Sequence, residues 1–178
     1  MKVSMLWNPI FILLLSFFTF EPQTPHLKMP GERQADSLPR ELTETETQSI
    51  LKENRAKPHV DATLKVSDAR LASALKFVEE NQYKSATQDV DLYAALIIYA
   101  DAYTRKLPAS QIKDRDSCLK KIEQAIIKQS RTVDGVLRQF PADYRDGVEP
   151  KIEQVKKIRL RAINDVLGGG RMIKTSDE

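Results

Sequence analysis

From residue 119 onward the apolar side chains recur at alternating steps of three and four: Leu119, Ile122, Ile126, Val133, Val136 and Phe140, with Gln129 as the one polar member. A strand repeats every two residues and cannot keep such a set on one face. A helix can, because its period is 3.6 residues. The steps amount to a heptad seam, which demands a partner surface along its whole length. The seam predicts a long helix from about Lys113 to Phe140, with Gly135 a tolerated weak point and Pro141 closing it. Ala142 to Glu149 read as a loop. Pro150 suits a first helical position, so a last helix is expected at about 150–167, stopped by Gly168, Gly169 and Gly170.

Two more helices precede the seam. Leu64, Leu71, Leu75 and Val78 form one stripe between Ala62 and Tyr83, and Ser67–Asp68 reads as an N-cap from which the regular helix starts. Ser85 to Leu107 is apolar almost all round, with Leu92, Leu96, Tyr99 and Tyr103 on one stripe and Ala95, Ile97, Ile98 and Ala100 filling much of the rest. Such a helix belongs in the middle of a bundle. Asp101 and Arg105, four apart on its polar edge, read as a solvent-side pair. Residues 46–57 predict a short helix with a poor apolar face, stopped by Pro58. No strand-like alternation is found in the body. The fold class expected is all-α, a helical bundle of four to five helices spanning 46–167.

The stretch NQYKSA, Asn81 to Ala86, resembles the turn of a tetratricopeptide repeat. The resemblance covers that one turn, lacks its glycine, and does not recur at the period of about 34 residues such repeats require.

Ahead of the bundle the composition changes twice. Residues 1–20 carry one charge, Lys2, followed by a nearly unbroken apolar run from Ile10 to Phe20. This is the pattern of a signal peptide. The positions ahead of Thr19 and Phe20 hold Phe17 and Phe18 where signal peptidase requires small residues, so an uncleaved membrane anchor is the second reading. On either reading the body is expected outside the cytoplasm, periplasmic or secreted. Residues 21–45 hold Pro22, Pro25, Pro30 and Pro39 and read as an extended tether. Residues 168–178 read as a polar tail.

The residue inventory excludes most catalytic chemistry. A single cysteine, Cys118, rules out an internal disulfide framework and any Cys-based metal cage. The two histidines, His26 and His59, fall ahead of the expected long helices of the bundle, so Glu-x-x-His metal pairs and a base for Cys118 are missing. The S-x-x-K strings at Ser49–Lys52 and Ser73–Lys76 lack their companion motifs. With 28 Lys+Arg against 25 Asp+Glu, the net charge of +3 makes no electrostatic case for nucleic acid. No metal and no cofactor is expected.

The residues left for function are few. Lys156 and Arg159 fall inside the apolar arc of the last helix on a helical wheel. There they either reach an acidic ligand or lie with their stems over the core and their heads in water. Gln129 either fixes helix register or lines a cavity with Tyr99 and Tyr103, whose hydroxyls need partners when buried. Asp89, Asp91 and Asp101 are carboxylates that nothing in the sequence groups with a base or a metal. The function expected is an exported, non-catalytic bundle acting through a protein partner or self-association, with membrane anchoring through residues 1–20 as a further expectation. The alternative is a bundle that binds a small ligand or anion at the cell envelope.

Overall fold

The structure, a computed structural model, describes residues 37–168. The apolar segment 1–20, most of the tether, His26 and the tail beyond Gly168 lie outside these residues. Five helices follow one another: α1 Glu44–Leu51, α2 Ala56–Glu79, α3 Tyr83–Arg105, α4 Ile112–Gln139 and α5 Ala142–Gly168, with one 3₁₀ turn at Ala109–Gln111 ahead of α4. No strand occurs among the described residues, and the protein is an all-α helical bundle. Among the same residues no helix is long and apolar enough to cross a membrane.

α2 and α3 form one antiparallel hairpin, α4 and α5 a second. The two lie side by side, α2 against α4 and α3 against α5, while α1 lies along α2. Ion pairs across the join share one offset: Asp61–Lys121, Asp68–Lys128, Asp91–Lys151, Asp101–Arg161 and Arg105–Asp165 each link residues sixty apart. A constant positive offset means that the paired helices run parallel and in register. All but Asp101–Arg161 are at least a third exposed on both partners, and such pairs contribute about 0–1 kcal/mol each, so burial carries most of the stability. The core runs through all four long helices, with Leu71, Tyr93, Ile97, Ile122, Val136 and Ile158 inside it. A satellite cluster of Leu42, Ile50, Val66, Leu92 and Leu96 sits beneath α1.

The seam helix forms as its spacing requires, with Leu119, Ile122, Ile126, Gln129, Val133 and Val136 buried along α4 and Phe140 capping it. Other boundaries move. Pro58 does not stop a helix but occupies the third position of α2. First-turn residues have no intrahelical acceptor for their N–H, so proline loses nothing there. Ser67 starts no helix either; it is buried inside α2, where its hydroxyl donates to the Leu64 carbonyl at 2.8 Å. The expected loop 142–149 is the first part of α5, which carries Pro150 in its interior. An interior proline costs about 3 kcal/mol. Val148, Ile152 and Val155 are nearly completely buried around it, and each contributes about 1.5–3 kcal/mol. Burial wins.

The tether also ends earlier than its prolines imply. Thr43 and Glu46 close a capping box at the start of α1, Leu42 is buried, and Leu38 packs against the satellite cluster. The α2–α3 turn explains the missing glycine of NQYKSA. Asn81 takes the left-handed conformation with φ 59°, and the Gln82 N–H donates to the Phe77 carbonyl at 2.7 Å. This is a Schellman closure in which asparagine stands in for glycine.

Candidate functional site

The five residues singled out in the sequence do not assemble into one site. Tyr99 and Tyr103 lie one turn apart on α3 and gather around His59 of α2, which is buried in the bundle rather than ahead of its long helices. His59 Nδ1 faces the Glu53 carbonyl at 3.2 Å, and Nε2 lies 2.8 Å from the Tyr99 hydroxyl. A carbonyl only accepts, so Nδ1 carries the proton and Nε2 accepts from Tyr99. Tyr103 stacks on the imidazole at 4.3 Å between centroids. Burial raises both phenols above their ordinary values, so each stays a neutral donor. Cys118 is fully buried, and burial likewise pushes its thiol up, which disfavours the nucleophilic thiolate.

Gln129 belongs elsewhere. Its Nε2 donates to Asp68 Oδ1 at 3.2 Å, nine residues beyond His59 on α2, or about 13 Å along the axis. Lys156 stands outside the apolar arc, because the buried stripe of α5 is the narrower set Ile152, Val155, Ile158 and Ala162. Its ammonium donates to Glu153 at 2.6 Å, which holds its pKa above the ordinary value. Arg159 is half-exposed, with Nε 4.0 Å from Glu123 of α4. Both cations already face carboxylates, and neither points toward a common ligand.

The structure does group two residues that the sequence left scattered. α3 is covered by α2 on one side and α5 on another, and between them a cleft of about 530 Å³ opens on its flank. Leu92, Ala95 and Ile98 form its apolar wall; Glu41, Arg70, Asp89, Asp91 and Lys151 supply charge at the rim and floor. Asp91 forms an ion pair with Lys151 of α5, with Nζ 2.5 Å from Oδ1. Asp89, only 4% exposed, accepts at Oδ1 from Arg70 Nη1 at 2.8 Å. Arg70 then grips both oxygens of Glu46, with Nε at 2.7 Å and Nη2 at 2.5 Å.

That network ties α1, α2 and α3 together and sets its own protonation. Burial by itself would raise Glu46. The hydrogen bonds from Arg70 and from the Thr43 backbone and hydroxyl, with the charge of Arg70, outweigh it and hold the carboxyl below its ordinary value. The Glu46 hydrogen bond raises Arg70 against the opposing pull of burial. One atom stays outside the network: Asp89 Oδ2 is buried and has no hydrogen-bond partner within the protein. The trace of this site in the sequence is an aspartate set within an apolar helix, with Gln88, Asp91, Ala95 and Ile98 on a neighbouring stripe. Its partners, Arg70 and Lys151, are too distant in the chain for any helical spacing to reveal.

Among the described residues no group of three or more His, Cys, Asp or Glu side chains is placed to hold a metal ion. Fold and cleft together define an all-α helical bundle with an acidic recess on the flank of α3. No protein-family model matches the chain, and no curated protein and no solved structure matches it.

Proposed function

We propose that this chain is a non-catalytic helical-bundle protein that works by binding a protein partner, and that the α3 cleft is where it binds. The observation that carries the reading is Asp89 Oδ2, a buried acceptor without a partner in the floor of an apolar-walled recess. Buried polar atoms are almost always hydrogen-bonded, and an orphan of this kind in a recess is suited to a group supplied from outside. The placement of the body beyond the cytoplasm rests on residues 1–20, whose charge and apolar run match an export signal or anchor.

Site-specific photocrosslinking in the native cell tests the reading. A photoreactive residue at Gln88 or Gln154, both exposed on the cleft, is expected to trap the same protein. The same probe at Arg131, exposed on α4, is expected not to. Identical adducts from all three positions would refute the cleft as the binding surface. A second reading, small-ligand binding, draws support from the cleft volume of about 530 Å³, which lies in the range of small-molecule sites. It predicts no protein adduct from Gln88 or Gln154 and a ligand-dependent rise in melting temperature.

A further inference from the structure

We infer, resting on the reading that the cleft is the binding surface, that the group it takes is cationic: a protonated primary amine or a guanidinium carried on an unbranched aliphatic stem. Charge gives the first reason. The lining holds three carboxylates, Glu41, Asp89 and Asp91, against two cations, Arg70 and Lys151. Both cations are engaged, Arg70 by Glu46 and Asp89 and Lys151 by Asp91. An anion entering the cleft would find no unengaged cation and three like charges. A cation would find Asp89 Oδ2, which has no partner, and the carboxylate of Glu41 at the exposed rim.

The cleft already practises this recognition on the protein's own side chains. Lys151 reaches across from α5 and docks its ammonium on Asp91, while Arg70 docks its guanidinium on Asp89 four-fifths buried. Beyond these heads, Ala95 and Ile98 present a partly buried apolar strip one turn further along α3. A stem of methylenes laid on that strip gains from burial as lysine and arginine stems routinely do. Gln88, Lys151 and Gln154 line the same cleft as accessible side chains, free to move as a ligand enters. Lys151 is therefore a resident competitor for the site. That role gives the inference a sign that simple surface charge does not share.

Amide chemical-shift titration of the intact chain tests this with three probes: a blocked Gly-Gly-Lys-Gly-Gly peptide, the same peptide with norleucine for lysine, and 1,5-diaminopentane. The lysine peptide and the diamine are expected to saturate shifts along residues 88–98 and 151–154, while the norleucine peptide leaves them unmoved. Asp89→Asn is expected to weaken the cations about tenfold or more, the effect of losing one charge-assisted hydrogen bond. Lys151→Ala is expected to tighten them several-fold. Lys157→Ala, which removes the same charge from the exposed face of α5, is expected to change affinity less than about twofold, as for a screened surface charge.

A tighter lysine peptide assigns the group to a protein side chain, and a tighter diamine assigns it to a free polyamine. Either outcome supports the cationic class. Binding of the norleucine peptide equal to that of lysine, weakening by Lys151→Ala, or indifference to Asp89→Asn overturns it. If no cation titrates while Gln88 still captures its adduct, the ligand class is wrong and the cleft reading stands. Loss of both refutes the two together.

Discussion

Asp89 and Asp101 stand on the same helix, each 4% exposed and each facing arginine, yet they finish in opposite states. Asp101 is saturated. Both of its oxygens accept from Arg105 Nε at 3.0 Å, Oδ2 accepts again from Arg161 Nη2 at 3.1 Å, and Arg105 continues to Asp165 at 2.6 Å. Asp89 uses Oδ1 on Arg70 and leaves Oδ2 unpaired beneath the cleft. The first carboxylate closes the join between two hairpins; the second has one oxygen engaged and one, buried, without a partner. Burial alone therefore does not separate a saturated carboxylate from one that keeps an unpaired oxygen. The count of donors aimed at each oxygen does.

Isosteric amides probe that difference most directly. Asp101→Asn turns an acceptor into an NH2 facing guanidinium donors, so a loss of about 2 kcal/mol in urea unfolding is expected. The figure is held down because Arg105 and Arg161 are themselves part-exposed and can turn to water. A loss near zero would show that the Asp101 cluster is not a structural closure.

Next in size is Glu46→Gln, which keeps an acceptor for the capping box but removes the charge and the paired grip on Arg70, at about 1–2 kcal/mol. Its pH dependence has a definite sign. The folded carboxyl titrates below its ordinary value of 4.5, so its contribution is present above about pH 4.5 and is lost as pH falls through the lower folded value. Urea midpoints between pH 7 and pH 3 are expected to fall in the parent and to fall less steeply in Glu46→Gln. Parallel acid limbs would remove Glu46 from the account.

The smallest effect on stability is expected at Asp89→Asn, less than about 1 kcal/mol, because the amide nitrogen replaces an oxygen that already lacks a partner. A loss equal to that of Asp101→Asn would erase the contrast between the two carboxylates.

Much of the architecture was readable along the chain. The three-and-four steps from Leu119 to Phe140 foretold α4 almost to the residue, and the all-round apolarity of residues 85–107 foretold that α3 would be wrapped by its neighbours. The misreadings share one cause. At Pro58, Ser67 and Pro150 local propensity yields respectively to position in the first turn, to a back-bonded hydroxyl and to burial on both flanks. Four-residue spacing reads Asp101 and Arg105 as a solvent pair because it is blind to Arg161, sixty positions from Asp101.

By itself, then, the sequence determined what local periodicity can encode: the helical class, the seam and the lack of strand pattern. Tertiary structure decided the rest. The sixty-residue register between hairpins, the enclosure of His59 by two tyrosines, and the joining of Arg70, Asp89, Asp91 and Lys151 around one cleft depend on which helix faces lie against which. Nothing in a helix's own repeat specifies its neighbour, because the 3.6-residue period fixes a face and not the partner that covers it.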